Sequence, residues 1–418
     1  MKKILNKLLK NPILIIFLLI LVFYMPAAIY SPGESRNRGV VTAIGIDKID
    51  DQYEVSLLTF IPTVNQSFEE QKSVISAKGS SVAEAVYRAE IAMGRKIGLF
   101  HAKTTVVNEE LLKEDVAKHL DYLSRVASLP ENSVFVGTNK TAKELLKISQ
   151  KSKNIVGLKL EQLVGFNAEN IYVTDTSLEA FYDGYYNDTK SAIIGYLCIE
   201  DSNTSFASVE KASMSDDMGS SQSSGNAQNS AQQEKGQSKE NLVNCGKSIL
   251  LKNGKMAEIL SADMLNAINI LNTKSKNQII KIKDVMQDGE RVNVSYRIKE
   301  KKVITTTKFE NGYPVFLGRV VLNVELVEIE GVTTQTKVNT DLMEFTDEVK
   351  EKIDIEVKRQ FSEAISLLKR NNADIIGINK KFFLDNRKAY SNFIAQNGGV
   401  ENFIKNVNFQ LNITAQSD

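Results

Sequence analysis

An uninterrupted apolar run near the start of the chain constrains its fold and location more than any other feature. The run extends from Pro12 to Tyr30 and contains no charged residue. Its length is close to the roughly 20 residues that a helix needs to cross ~30 Å of hydrocarbon. Four lysines precede it: Lys2, Lys3, Lys7 and Lys10. Because basic residues favour the cytoplasmic side of a span, we expect a transmembrane helix that leaves the body of the protein on the extracytoplasmic side.

Two other interpretations of this segment stay open. A cleaved signal peptide has a shorter apolar core, about 7–15 residues, and a small-residue cleavage site. Ala27 and Ala28 are small, but Ile29 and Tyr30 make a poor site. The third interpretation is a buried core helix. Retention as an anchor is the interpretation we favour, and no cysteine over residues 27–35 offers a lipid attachment site.

Charge and composition exclude several classes of function. The 418 residues include 52 Lys and Arg against 51 Asp and Glu, a formal net charge of +1. Nucleic-acid-binding domains are normally basic overall, so we predict no nucleic-acid partner. With two histidines and two cysteines, the chain offers little for a His/Cys metal site, and we predict neither a metal nor a cofactor. The apolar fraction of 42% is ordinary and sufficient for sizeable cores.

Residues 36–200 predict an N-terminal αβ domain, which follows an anchor and short linker over 1–35. Apolar, β-branched segments on either side of two turn-forming aspartates indicate a hairpin over 40–61. Ser81 followed by Glu84 fits a capping box, with apolar residues at helical spacing after it. A longer helix is predicted over Asn108–Ala127. Strands and helices then alternate, which is typical of a mixed αβ domain.

The composition changes sharply over residues 201–242. Ser, Gln, Asn, Gly and Lys dominate there, and almost no large apolar side chain follows Val209. Such a stretch cannot bury enough surface to offset its ordering entropy, so we predict a disordered insert. Cys198 and Cys245 flank it. A disulfide between them would close a long loop and contribute roughly 4 kcal/mol, but two buried thiols in separate strands are the alternative.

The pattern over residues 243–418 predicts a C-terminal α+β domain. A division of this domain into two subdomains near residue 310 is the alternative. Asn-Gly pairs at 253–254 and 311–312 are strong hairpin signals, and the segments around them indicate an antiparallel sheet. Apolar residues recur at three- and four-residue steps over Phe345–Arg370, which predicts a long amphipathic helix packed on that sheet. A solvated turn is predicted at one basic run, Lys299, Lys301 and Lys302.

Catalytic motifs are missing from the sequence. No phosphate-binding, dinucleotide-binding, zinc-protease, serine-hydrolase or CxxC motif is found. We interpret His101, at the start of a predicted strand, as a hydrogen-bonded structural residue, and we expect His119 at the surface of the 108–127 helix. Asp47 follows Ile44-Gly45-Ile46 and is interpreted as a turn-capping acid. An envelope hydrolase built on His101 and Asp47 is the weakest functional alternative.

Four segments nevertheless resemble the motifs of one family, in the same order. The family's opening hairpin is matched at 39–62 by GVVTAIGIDKIDDQYEVSLLTFIP. Its strand with a histidine, followed by a helix and an arginine, is matched at 94–125 by GRKIGLFHAKTTVVNEELLKEDVAKHLDYLSR. The family's second hairpin and the helix after it are matched at 245–272 by CGKSILLKNGKMAEILSADMLNAINILN. Its long C-terminal helix is matched at 349–383 by VKEKIDIEVKRQFSEAISLLKRNNADIIGINKKFF. Together they resemble the C subunits of bacterial spore germinant receptors, the Ger(x)C family.

This resemblance implies a non-catalytic subunit on the outer face of the spore inner membrane, acting with an A-type and a permease-like B-type subunit. The motif positions in this chain, expected to be structural, are Gly45, Asp47, His101 and Arg125. The family's lipobox cysteine and its tryptophan are absent, so a helix over 12–30 must replace the lipid. The insert is also long for the family. An anchored extracytoplasmic protein that binds a small solute or peptide, in a cleft near the seam at 199–243, is the alternative function.

Overall fold

Two β-sheets with associated helices form the body of the protein. The computed structural model describes residues 38–60, 72–150, 176–200, 242–271, 278–287, 290–330 and 345–417. In the larger sheet the strand order is β3-β2-β1-β5-β6-β7-β8-β9, with β4 pairing beside β1. Its strands are β1 Arg38–Ile49, β2 Gln52–Phe60, β3 Lys72–Gly79, β4 Lys96–Gly98, β5 Thr104–Asn108, β6 Val134–Thr138, β7 Ser191–Glu200, β8 Leu242–Lys252 and β9 Lys255–Leu260. The predicted α+β class, with two sheets, is confirmed.

The centre of the larger sheet is parallel and both of its flanks are antiparallel. Strands β1, β5, β6 and β7 pair in parallel, whereas β2 and β3 on one side and β8 and β9 on the other pair antiparallel. Parallel neighbours require crossover connections, and helices lie in those connections here. The starts of the four parallel strands therefore share one edge, the amino edge, and their ends share the opposite one, the carboxyl edge.

Helices cover both faces of the larger sheet. They are α1 Val82–Met93, α2 Glu109–Leu112, α3 Val116–Arg125, α4 Ala142–Gln150 and α5 Leu178–Tyr186. Residues of α1, α3 and α5 belong to one buried core with Ile44 and Ile46 of β1, and residues of α4 belong to a second core with Ala43. Because successive side chains of a strand point to opposite faces, the two cores lie on opposite sides of the sheet.

The first predicted helix agrees with the structure, whereas the second does not. Helix α1 begins as predicted: the Ser81 hydroxyl accepts a hydrogen bond from the backbone N–H of Glu84 at 3.1 Å, and the Glu84 carboxylate accepts from the N–H of Ser80 at 2.7 Å. The single helix over 108–127 is wrong, because the chain forms α2 and α3 with a break between them. At that break the N–H of Val116 donates to the carbonyl of Gly254 at 2.9 Å, so the β8–β9 turn takes the place of a helical partner.

Strands β8 and β9 join the larger sheet although they follow the polar insert. The pairing of β8 with β7 begins with Ser191 opposite Lys252 and ends with Glu200 opposite Leu242, and β9 pairs with β8. The sheet therefore continues across the predicted seam between 200 and 243. The division into domains at 36–200 and 243–418 stays a prediction, and the predicted disordered insert lies outside the described residues.

The smaller sheet has the order β10-β11-β12-β13. Its strands are β10 Ile279–Gln287, β11 Glu290–Glu310, β12 Tyr313–Ile329 and β13 Asn408–Gln416. The first three are antiparallel as predicted, but β13 pairs with β12 in parallel, because the chain returns to the sheet through a long helical crossover. Strands β11 and β12 form one hairpin whose turn, Asn311–Gly312, has positive φ at both residues, so a boundary near 310 would cut this turn.

The basic run lies inside β11, so the predicted turn at this position is wrong. Lys299 Nζ lies 3.3 Å from a carboxylate oxygen of Glu325 on the neighbouring strand. Lys301 Nζ donates to the carbonyl of Asn269 at 2.7 Å, and burial lowers the pKa of this lysine to about 8. Both lysines thus have partners on neighbouring elements that the local sequence does not reveal.

The remaining helices are α6 Ala262–Ile270, α7 Asp347–Arg370, α8 Ile378–Asp385, α9 Arg387–Gln396 and α10 Phe403–Asn406. Helix α7 is the predicted long amphipathic helix, and Thr346 caps it by accepting from the N–H of Val349 at 3.3 Å. All seven apolar residues of its predicted stripe are buried: Val349, Ile353, Val357, Phe361, Ala364, Ile365 and Leu368. The first part of this stripe packs on the smaller sheet, and the last part packs in a core shared with β8, β9 and α6.

A buried polar junction also joins the two halves. Lys252 at the end of β8 donates from Nζ to the carbonyls of Thr189 and, at 2.8 Å, of Asn372. The N–H of Asp374 donates to the Ser191 hydroxyl at 3.3 Å. We call these five residues the junction. They link the start of β7 and the end of β8 to the segment that follows α7.

No helix among the described residues is both long and apolar enough to cross a membrane. The predicted anchor and linker over 1–35 lie outside these residues.

Candidate functional site

Gly45 lies where a helix approaches the larger sheet closely. A Cβ atom at this position would lie 2.8 Å from the Cβ of Ala142 and 3.1 Å from a methyl group of Leu146. Both of these residues belong to α4. Real Cβ contacts are almost never so short, so the absent side chain lets α4 pack directly against β1. The first motif position thus acts through packing.

Asp47, two residues further along β1, holds the start of the same helix. Its fully buried carboxylate accepts hydrogen bonds from the N–H groups of Ala142 at 2.7 Å and Lys143 at 3.1 Å. Burial raises the pKa of Asp47 to about 6, and the two N–H bonds oppose that rise. The first N–H groups of a helix lack partners within it and favour negative charge, which this carboxylate supplies. Asp47 is therefore a capping acid, but for a helix distant in the sequence.

Glu54 completes this arrangement from the adjacent strand. It lies opposite Asp47 in the β1–β2 register and forms an ion pair with Lys143. Its carboxylate is buried, as is that of Asp47. Lys143 thus binds both carboxylates, one through its backbone N–H and the other through Nζ. The arrangement resembles a catalytic acid pair in composition, yet its hydrogen bonds all serve to dock α4.

A second polar cluster lies on the opposite face of the same two strands, and no sequence pattern predicted it. Lys48 Nζ lies 2.6 Å from a carboxylate oxygen of Glu114, and the other oxygen lies 3.1 Å from Nε2 of His119. Nδ1 of His119 is 2.7 Å from the hydroxyl of Tyr53. Burial lowers the pKa of His119, against the attraction of Glu114. The predicted surface location of His119 is wrong, because the β1–β2 hairpin covers this face of α3.

No local signal identifies that cluster. Its members come from β1, β2, the link between α2 and α3, and α3 itself, and more than 60 residues separate Lys48 and Tyr53 from their partners. The cluster pins the β1–β2 hairpin to the start of α3. It contributes an ionisable network, but all of its described contacts are internal to the fold.

His101 lies at the other edge of the sheet. It ends a short 3₁₀ turn, Leu99–His101, and its exposed ring lies beside that of Phe100 with centroids 4.3 Å apart. Two residues later the N–H of Lys103 donates to the carbonyl of Thr42. Thr42 precedes Asp47 by five residues, or roughly 16 Å along an extended strand. The geometry therefore does not bring His101 and Asp47 together as a hydrolase would require.

Arg125 lies at the exposed end of α3. Its guanidinium contacts Asp121, one turn earlier, at 3.0 Å, and this hydrogen-bonded carboxylate raises the pKa of Arg125. Such an exposed pair contributes little to stability.

The two cysteines lie on neighbouring strands of the larger sheet. Cys198 of β7 is opposite Asn244, and Cys245 of β8 is opposite Leu197. The side chain of Cys245 lies outside the described residues, so the disulfide stays a prediction. The described part of the chain also contains no group of three or more His, Cys, Asp or Glu side chains that could hold a metal ion.

Two family models match the chain one after the other. The first, Spore germination protein N-terminal domain, matches residues 33–199, and the second, Spore germination B3/ GerAC like, C-terminal, matches residues 246–416. The unmatched residues between them include the polar insert.

Individual relatives agree with the family models. Spore germination protein KC of Bacillus subtilis (strain 168) is 26% identical over 202 residues, which are 45% of this chain and 49% of that protein. The chain thus spans about half the length of this curated relative. The crystal structure of the GerBC protein is similar with a TM-score of 0.52 at 12% identity, covering 90% of this chain and 96% of that one. That likeness shows the shared fold, and with the two family models it establishes that the chain belongs to the Ger(x)C family of spore germinant-receptor C subunits.

Proposed function

We propose that this protein is a non-catalytic C-type subunit of a spore nutrient germinant receptor. The observation that carries the proposal is the ordered match of two germination-protein models over residues 33–199 and 246–416. It acts through contacts with an A-type and a permease-like B-type subunit, as the family resemblance implies.

We propose further that the segment at 12–30 anchors it to the outer face of the spore inner membrane. The uncharged run and the lysines before it support this location. Anchoring beside a membrane-embedded partner raises the effective concentration of each surface, so individually weak contacts suffice for assembly. The helix thereby replaces the lipid that the sequence cannot carry at a lipobox cysteine.

The geometry of the motif residues supports a role without catalysis. Gly45 and Asp47 act on helix α4, and His101 lies at the opposite edge of the sheet from Asp47. Each of the four motif positions therefore has a structural partner or an exposed position apart from the others. An interaction protein requires rigid surfaces, and these contacts provide them.

Deletion of the gene tests the proposal. We expect spores without this protein to lose the germination response to at least one nutrient, and a reintroduced copy to restore it. Pull-downs from spore membranes with the full-length protein should recover an A-type and a B-type subunit. Intact responses to all nutrients together with pull-downs that contain neither subunit would contradict the proposal.

A further inference from the structure

We propose that the amino edge of the larger sheet rests on the headgroups of anionic phospholipids. The surface consists of Arg95, Lys96, Phe100, His101 and Lys103, and we call it the basic-aromatic surface. This inference rests on the proposed function, because it takes the segment at 12–30 as a membrane anchor. The inference identifies the part of the body that contacts the bilayer.

The path of the chain brings this edge close to the anchor. Strand β1 begins with Arg38 opposite Lys96 of β4, and Val40 is opposite Gly98. Seven residues separate Tyr30 from Arg38. A chain spans at most ~3.5 Å per residue, so the start of β1 lies within about 28 Å of the end of the apolar run. Arg95 and Lys96 lie beside the start of β1, and the rest of the basic-aromatic surface follows β4 directly, so this surface is on a short tether.

The side chains of this surface suit a lipid headgroup layer. Arg95, Lys96 and His101 are exposed and Lys103 is half-buried. Glu90, a nearby acid in the sequence, accepts a hydrogen bond from the N–H of Ile97 at 2.9 Å. Basic residues beside anionic lipid each contribute about fivefold to binding.

Phe100 supplies an exposed apolar side chain within the same segment. Its side chain is 49% exposed although it is aromatic. The ring lies over Gly98, where a Cβ atom would be 2.4 Å from its Cε1 atom, and beside the ring of His101. The backbone thus presents an exposed aromatic ring in a segment that also carries exposed basic residues, a combination found in proteins that lie at the membrane interface.

A single tryptophan tests the position of this ring. The chain contains none, so the Phe100→Trp protein carries one reporter. The full-length variant is reconstituted into phosphatidylcholine vesicles with or without phosphatidylglycerol, in which part of the lipid carries brominated acyl chains. We expect strong quenching of its fluorescence in the vesicles with phosphatidylglycerol and weaker quenching in phosphatidylcholine alone. The control is Tyr313→Trp, at the 61% exposed tip of the β11–β12 hairpin, which should stay unquenched in both.

Charge reversal tests the electrostatic part. Combining Arg95→Glu with Lys96→Glu in the Phe100→Trp protein removes two basic charges and should weaken docking at least about 25-fold, which abolishes the extra quenching. The matched control combines Lys113→Glu with Lys140→Glu, two exposed lysines at the carboxyl edge, and should leave quenching unchanged. Quenching that survives the first pair of changes, or that is equal in both vesicle types, overturns the proposal.

Flotation of the vesicles separates this inference from the proposed anchor. A protein that floats with the vesicles, while its Phe100→Trp reporter is as unquenched as the Tyr313→Trp control, overturns the lipid contact and leaves the anchor standing. A protein that does not float overturns both.

Discussion

Asp47 illustrates how one residue of a family motif can have a perturbed pKa without a catalytic role. Its carboxylate is buried, which raises its pKa to about 6, and it accepts two backbone N–H groups from α4. Perturbed acids often mark active sites, but ion-pair and capping networks perturb them too. Here the partners are the first N–H groups of a helix and, across the strand pair, the Glu54–Lys143 ion pair. Asp47 therefore stabilises the contact between β1 and α4.

Replacement of this acid should therefore destabilise the protein. In Asp47→Ala, two buried N–H groups lose a charged acceptor, and we expect a loss of about 3 kcal/mol in the free energy of unfolding. Urea unfolding of the detergent-solubilised full-length protein measures it. The control Asp121→Ala removes an exposed carboxylate and should cost no more than about 1 kcal/mol. Equal effects of the two changes would contradict the capping role.

The raised pKa of Asp47 also predicts a dependence of stability on pH. The folded protein holds the Asp47 proton up to about pH 6, whereas the ordinary value is 3.8, so between these values the folded state binds more protons. The free energy of unfolding therefore falls as pH rises through this window, by up to about 3 kcal/mol from this group. Asp47→Asn has no such proton, so its stability relative to the wild type should rise from pH 3.5 to pH 6.5. A difference that is constant with pH would show that the pKa is not raised.

At the scale of elements, the contact between β1 and α4 depends on the missing side chain at Gly45. The Cβ of Ala142 and a methyl group of Leu146 occupy the space that a larger residue would need. A helix on this face can approach no further without a backbone shift, and well-packed interiors do not absorb added atoms readily. Packing, rather than flexibility, is what this position requires.

A double-mutant cycle tests this contact. Gly45→Ala should destabilise the protein by about 1–3 kcal/mol, because α4 must move away from β1. Ala142→Gly should cost about 1 kcal/mol alone by weakening the helix, but it also removes the opposing methyl group. In the double variant we expect a total loss at least about 1 kcal/mol smaller than the two single losses combined, measured by the same urea titration. Strict additivity would indicate that the two positions do not contact each other.

Across the whole molecule, features with local causes could be predicted from the sequence, whereas long-range contacts could not. The stripe of α7 and the cap at Ser81 depend on residues three or four positions apart, and both were predicted. The parallel pairing of β13 and the burial of His119 depend on partners 60 or more residues away. The same holds for Asp47, which the sequence suggested as a turn-capping acid, whereas its carboxylate accepts the N–H of a residue 95 positions along the chain.

The relation between the two halves was likewise invisible in the sequence. A change in composition at 201–242 predicts a boundary, yet β7 and β8 pair directly across it. A shared apolar core and the junction then connect β8 to the segment after α7. Because these contacts bury polar groups from both halves, we expect a substitution in one half to destabilise the other half as well.

Lys252 is the residue at which this coupling can be measured. In Lys252→Met the carbonyls of Thr189 and Asn372 lose a charged donor, so we expect a loss of about 1–3 kcal/mol in the free energy of unfolding. Hydrogen exchange should accelerate in residues 371–379, although the substituted residue belongs to the other sheet. The matched control is Lys255→Met, the exposed lysine opposite it across the β8–β9 turn, which should change neither quantity. Faster exchange confined to β7, β8 and β9 would mean that the halves open independently, whereas joint acceleration would establish the junction as a rigid connection between the two halves.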